Sequence, residues 1–90
     1  PQVSINYFEN VVGVAAGIML AINANRHGFI IQAPSTNGAN FIYLGFNNLV
    51  TNIHYFVQLA AGASWSCDDY RGEVWAIASA AAQITHCGEW

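Results

Sequence analysis

The residues of this chain that could perform chemistry lie in two short stretches of its C-terminal third. His86 and Cys87 are adjacent, and Cys67 precedes Asp68 and Asp69. Imidazole, thiolate and carboxylate groups bind zinc, but structural zinc sites usually pair ligands at a C-x₂₋₄-C spacing, which does not occur here. Neighbours on a strand point to opposite faces, so His86 and Cys87 cannot both reach one metal without a bulge. We therefore expect no metal and no cofactor.

The same residues do not indicate an enzyme. A cysteine-histidine nucleophile pair needs a third orienting group and an oxyanion element, and the sequence shows neither. Asp68, Asp69 and Glu73 surround Arg71 without the D-x-D-x-D-G pattern of a calcium loop. We expect this acidic group to be a solvated hairpin tip.

The two cysteines could form a disulfide bond or remain thiols. Two cysteines in 90 residues are far fewer than disulfide-stapled secreted domains carry. We therefore expect Cys67 and Cys87 to be buried free thiols on which folding does not depend.

Apolar residues recur with a period of two. The segments 41–46, 53–59 and 73–79 place apolar side chains at every second residue, which is the pattern of a β-strand. Phe56 and Trp75 make the opposite faces apolar as well. In an antiparallel sandwich one face of each sheet normally meets water, so such strands are central or contact another subunit.

Turn-forming residues separate these segments at short intervals. Pro34–Gly38 contains an Asn-Gly step that accepts positive φ, and Asp69–Gly72 ends in a glycine suited to a tight reversal. The sequence predicts an all-β chain with one domain over residues 1–90, a small antiparallel β-sandwich or barrel of about eight short strands with hairpin-length links. The predicted strands are 3–8, 12–23, 28–33, 41–46, 53–59, 64–68, 73–79 and 83–88.

Two segments also fit another structure. Val11–Ile22 contains good helix formers, but Gly13, Gly17 and several β-branched residues favour an extended chain. Ala76–Ala82 is rich in alanine, and its flanking residues favour a hairpin. We predict strands in both.

The composition predicts association. The chain is 54% hydrophobic and 8% charged and has no lysine, whereas an ordinary soluble domain is roughly 45–50% apolar and about 25% charged. A domain of this size buries only about 60% of the surface of its unfolded chain. Apolar surface is therefore left for a partner, and we expect a homo-oligomer, namely a homotrimer.

Charge and length exclude other partners. A net charge of −3 with two arginines cannot neutralise several phosphates, so we expect neither nucleic acid nor an anionic membrane surface as a partner. The most apolar run, Val11–Ile22, is shorter than the roughly 20 residues that span a bilayer, and no positive charge precedes it as in a signal peptide.

Five segments of the chain carry a pattern of strands and turns in a fixed order. They are Asn23-Ala24-Asn25-Arg26, Phe29-Ile30-Ile31-Gln32, Asn40-Phe41-Ile42-Tyr43-Leu44-Gly45-Phe46, Leu59-Ala60-Ala61-Gly62-Ala63 and Gly72-Glu73-Val74-Trp75-Ala76-Ile77-Ala78. In this order they resemble small virion structural proteins of tailed bacteriophages. The resemblance covers about residues 20–79 and is a pattern of strands and turns rather than a catalytic motif. Pro34 departs from it, and the first 15 residues do not match.

The resemblance implies a structural role on a phage particle. It indicates a capsid cement or decoration protein, made in the host cytoplasm and placed on the outer capsid surface of the virion, with the major capsid protein and its own copies as partners. A head-tail or tail accessory part, a receptor- or glycan-binding module that uses the tryptophans and tyrosines, and a host-encoded or enzymatic small β protein stay as alternatives.

We expect the two arginines and six aromatic residues to act in folding or in contacts between subunits. Each arginine should meet a carboxylate or backbone carbonyls, since the guanidinium fork favours such partners. We expect the tryptophans and tyrosines to lie on alternating strand positions and not together on one loop. The eight residues are Arg26, Phe41, Tyr43, Phe56, Trp65, Arg71, Trp75 and Trp90.

Overall fold

The computed structural model describes residues 6–81 and 83–90, which form eight strands and one short 3₁₀ turn. The all-β prediction is confirmed: the strands form two antiparallel four-stranded sheets packed as a β-sandwich. The strands are β1 (Asn6–Val12), β2 (Gly17–Leu20), β3 (Gly28–Gln32), β4 (Ile42–Gly45), β5 (Val57–Leu59), β6 (Ser64–Asp68), β7 (Val74–Ala78) and β8 (Gln83–Glu89).

The chain alternates between the two sheets. Sheet A has the order β1-β8-β3-β6, and sheet B has the order β2-β7-β4-β5. Among the described strands only β4 and β5 are consecutive neighbours in one sheet. The predicted hairpin-length links are therefore mostly crossings from one sheet to the other, including the links around 69–72 and after Ala78, which were predicted as hairpins.

The core lies between the two sheets and follows the period-two pattern. Strand β3 turns Phe29 and Ile31 inward, and β4 turns Ile42 and Leu44 inward. Each such side chain contributes about 1.5–3 kcal/mol when fully buried. The buried apolar residues of both sheets form one cluster.

The predicted strand 12–23 is wrong in its extent. Strand β1 ends at Val12 in sheet A, and β2 begins at Gly17 in sheet B, so the chain changes sheet between them. The choice of strand over helix is confirmed. The predicted strand 3–8 falls partly outside the described residues, and β1 continues beyond it.

The predicted strand 53–59 is also too long. Only Val57–Leu59 pairs with β4, and the alternating residues before it lie in an exposed loop. Thr51 folds this loop back on itself, because its backbone N–H donates to the His54 carbonyl (2.7 Å) and its Oγ1 accepts from the His54 N–H (2.9 Å).

The turn residues act as predicted at one of the two predicted turns, where Gly38 has a positive φ of 65°. Gly62, before β6, also has a positive φ (85°). In the segment after β6, however, Asp69 takes the positive φ (66°). Gly72 is required there for space, because a Cβ atom would lie 2.6 Å from the Tyr70 hydroxyl.

Candidate interaction surfaces

Arg26 is buried and joins three parts of the chain. Its guanidinium forms an ion pair with Glu89 (Nη1–Oε2 2.9 Å). It also donates to the carbonyls of Ala21 (3.3 Å), Tyr70 (3.1 Å) and Gly72 (2.7 Å). As expected, it meets a carboxylate and backbone carbonyls, and it ties the β2–β3 link to the β6–β7 link and to β8.

Trp90 closes the same end of sheet A. Its backbone exchanges hydrogen bonds with Gly28, and its carbonyl also accepts from the His27 N–H. A Cβ atom at Gly28 would come within 2.9 Å of the Trp90 ring, so this glycine leaves room for the indole. Trp90 is therefore held by the fold and half-buried.

Arg71 makes no such contacts within the described part of the chain. Its side chain is exposed, and within those residues it makes no ion pair and no side-chain hydrogen bond. Only its backbone takes part, since its carbonyl accepts from the Asn23 N–H (3.0 Å). A role for it in a contact between subunits stays a prediction.

The outer side of sheet B presents an apolar surface, which we call the sheet B face. It is formed by Ile18, Tyr43, Trp75 and Ile77, which lie opposite one another in the register pairs Ile18–Trp75 and Tyr43–Ile77. Phe41 extends it beyond β4, with its ring centroid 6.4 Å from that of Tyr43. None of these five side chains carries a charge.

The outer side of sheet A is more polar. One row of paired residues crosses the whole sheet as Glu9, His86, Gln32 and Ser64. Glu9 lies 3.8 Å from His86 (Oε2–Nδ1). The exposed apolar residues Tyr7, Val11, Ile30 and Ile84 stand beside this row, so the outer side of sheet A mixes charged, polar and apolar residues, whereas the sheet B face is apolar.

Five aromatic rings form a cluster near the edge where β5 and β6 approach one another. Phe46 contacts Phe56 (centroids 4.8 Å apart) and Tyr70 (4.9 Å). Trp65 contacts Phe56 (5.5 Å) and the core residue Phe29 (5.3 Å). Phe46 and Phe56 belong to the loop between β4 and β5, whereas the sequence predicted aromatic residues on alternating strand positions and not together on one loop.

The β4–β5 loop, residues 46–56, lies beside this cluster and borders a cavity of about 230 Å³. Tyr55 of this loop stacks near Tyr43 (5.1 Å between centroids), so the loop adjoins the sheet B face. Residues that line the cavity are Gly45, Phe46, Asn47, Val50, His54, Tyr55 and Phe56.

Sequence reasoning missed this loop because its apolar alternation imitates a strand. A signal was available in the charge pattern. No Asp, Glu, Lys or Arg occurs between Arg26 and Asp68, and the loop lies within that stretch. Exposed loops usually consist of charged residues and turn-forming residues. An exposed loop that is apolar and uncharged therefore indicates a contact with another molecule.

The chemistry-bearing residues do not assemble into one site. Cys67 and Cys87 are free, the first half-buried and the second buried. Burial raises the pKa of the Cys87 thiol, against the opposing effect of hydrogen bonds from Thr85 and Asn10. Across residues 6–81 and 83–90, no three His, Cys, Asp or Glu side chains stand close enough to hold a metal ion.

In the part of the chain that the structure describes, no helix has the length and apolarity needed to cross a bilayer.

Comparisons of the chain with protein-family models, with curated proteins and with solved structures find no match. The fold defines the molecule as a two-sheet antiparallel β-sandwich, and any function has to be argued from its surfaces.

Proposed function

We propose that this chain is a virion structural protein of a tailed bacteriophage, a capsid cement or decoration protein. It binds the outer surface of the shell formed by the major capsid protein, as a homo-oligomer, and stabilises that shell. The observation that carries the proposal is the sheet B face. The resemblance of residues 20–79 to phage virion proteins supports it.

The sheet B face has the chemistry of a permanent contact. Ile18 is 50% exposed, and the register places it beside Trp75. The Trp75 indole nitrogen donates to Glu73 (3.3 Å), so the polar edge of this ring is already bonded. In a monomeric β-sandwich the outer face of a sheet normally carries polar residues, because it meets water. The cores of protein interfaces are instead enriched in aromatic residues and contain few charges.

Stabilisation by this route needs no chemical step. A protein that binds the assembled shell and not its separated subunits shifts the equilibrium toward the shell by mass action. This role agrees with a chain whose reactive side chains lie apart from one another.

Heating of phage particles tests the proposal. Particles assembled with and without the protein are heated, and DNA release is followed by the fluorescence of a DNA-binding dye. Particles without the protein should release DNA at a lower temperature, and adding purified protein should restore the original value.

A matched pair of variants assigns the effect to the sheet B face. Ile18→Asp introduces a charge on this face and should abolish the restoration. Val11→Asp introduces the same charge at a 73% exposed residue on the outer side of sheet A. This variant should still restore the heat resistance of the particles. Equal heat resistance with and without the protein, or its location at the tail tip, would replace this proposal with tail assembly or receptor binding.

A further inference from the structure

The β4–β5 loop concentrates exposed apolar side chains. Ile53 is 89% exposed, Leu49 is 64% exposed and Phe56 is 60% exposed. The loop has no residue with a formal charge, and His54 is its only titratable side chain apart from Tyr55. Exposed apolar patches of this kind mark interaction sites.

The loop is held in a defined shape. Val50 is buried and packs against Gly45, where a Cβ atom would lie 2.8 Å from the Val50 Cβ. The Phe56 N–H donates to the Leu44 carbonyl (2.7 Å), and Thr51 closes the turn described above. Ile53 and Leu49 therefore stand out from an anchored loop, which reduces the ordering cost of a contact.

The loop has both protruding apolar side chains and a cavity. Ile53 and Leu49 protrude and do not line the cavity of about 230 Å³. The cavity is lined by other residues of the same loop, among them Phe46, Tyr55 and Phe56. An enclosed apolar cavity of about 150 Å³ can hold a benzene molecule, so this partly open cavity of about 230 Å³ has room for a branched aliphatic side chain.

We propose that the β4–β5 loop is the contact between copies of this chain, with Ile53 or Leu49 of one copy inserted into the cavity of a second copy. Every copy presents both the protruding side chains and the cavity, and no like charges meet when two such loops approach. The proposal deepens the function proposed above and rests on it for the role of the oligomer. The part of the sheet B face on β2 and β7, at the other side of that sheet from β5, stays free for the shell.

A sugar is a weaker candidate for this site. The aromatic rings with Asn47 and His54 could bind a pyranose, but the strongly exposed Leu49 and Ile53 would then stay in water. A second copy covers the aliphatic and the aromatic residues together.

Sedimentation velocity over a range of protein concentrations tests the contact. We expect the wild type to be an oligomer at micromolar concentration. Ile53→Asp should raise the dissociation constant of the oligomer by about 30-fold or more, which is the loss typical of a hot-spot side chain. Leu49→Asp is the second variant, and Val11→Asp is the control that should leave the oligomer unchanged. Circular dichroism and thermal unfolding establish that each variant is folded.

The outcomes separate this contact from the proposed function. A folded Ile53→Asp variant with unchanged association overturns the contact alone. A monomeric wild type overturns the contact together with the homo-oligomer of the proposed function, but not the binding to the shell. Saturable binding of neutral glycans by wild type, lost in Phe56→Ser, would assign the cavity to a sugar and also overturn the contact. A wild-type oligomer that fails to stabilise phage particles contradicts the proposed function alone.

Discussion

At the scale of single residues, Arg26 shows why this chain with few charges retains a buried one. The guanidinium has several donors in one plane, and here they meet three carbonyls and one carboxylate that come from separate links and strands. The Arg26 guanidinium also lies over the Phe29 ring, 5.3 Å from the ring centroid, which is a distance typical of a cation–π contact.

Replacing Arg26 should destabilise the fold strongly. Arg26→Ala removes the ion pair and leaves buried carbonyls without donors, which costs about 3–5 kcal/mol. Arg26→Lys should recover only part of this, because an ammonium cannot match the planar fork. Urea unfolding followed by tryptophan fluorescence measures both.

Arg71→Ala is the matched control for this prediction. The exposed guanidinium makes no hydrogen bond and no ion pair among the described residues, so the change in unfolding free energy should stay within about 0.5 kcal/mol. An equal loss for both arginines would contradict the assignment of Arg26 as the structural one.

The two thiols should differ in reactivity. Cys87 is buried and its pKa is raised mainly by burial, so it should react with Ellman's reagent only after unfolding, while half-buried Cys67 reacts first. Because the pKa of the Cys87 thiol is higher in the folded protein, folding favours the protonated thiol. This contribution to the free energy of unfolding is fully present below the thiol pKa of the unfolded chain, about 8.5. It is lost as the pH rises through the thiol pKa of the folded protein. Fast labelling of Cys87 in the native protein would contradict this.

At the scale of elements, the close approach of Gly45 and Val50 sets the position of the β4–β5 loop. A Cβ atom at Gly45 would meet the Val50 Cβ at 2.8 Å and its Cγ2 at 3.0 Å. These atoms lie next to the backbone and cannot move without shifting the loop.

Gly45→Ala should therefore destabilise the protein by about 1–3 kcal/mol, as overpacking does. Gly13→Ala is the control, because its Cβ would meet nothing within 4 Å and its φ is not positive. Thermal unfolding of both variants measures the difference. A melting temperature of Gly45→Ala equal to that of Gly13→Ala would be evidence against the anchoring.

The same scale shows how far the sequence predicts the fold. Strands β3, β4, β6 and β7 follow the predicted segments closely, because each combines apolar alternation with turn residues at both ends. Alternation of apolar residues does not show where a chain leaves its sheet. For this reason residues 12–23 were predicted as one strand, and residues 53–56 were predicted as part of a strand although they lie in a loop. The sheet B face followed partly from Tyr43 and Trp75, whereas the cavity depends on packing that no local pattern encodes.

At the scale of the whole molecule, the proposed contacts are apolar, and this predicts how association responds to salt. Screening weakens charge pairs, with a Debye length of about 10 Å at 0.1 M and 3 Å at 1 M, but the loop and the sheet B face carry no formal charge. The oligomer should therefore sediment identically at 50 mM and 1 M NaCl. Dissociation at high salt would show that ion pairs hold it together.

The order of strands also has a kinetic consequence. Strand β8 lies between β1 and β3, and β7 lies between β2 and β4, so the interior strand that joins each sheet comes after both of its neighbours in chain order. Neither sheet can close before its joining strand has been synthesised. Topologies dominated by such distant pairings fold in milliseconds to seconds, so every newly made copy passes through an interval in which its apolar strands await their partners.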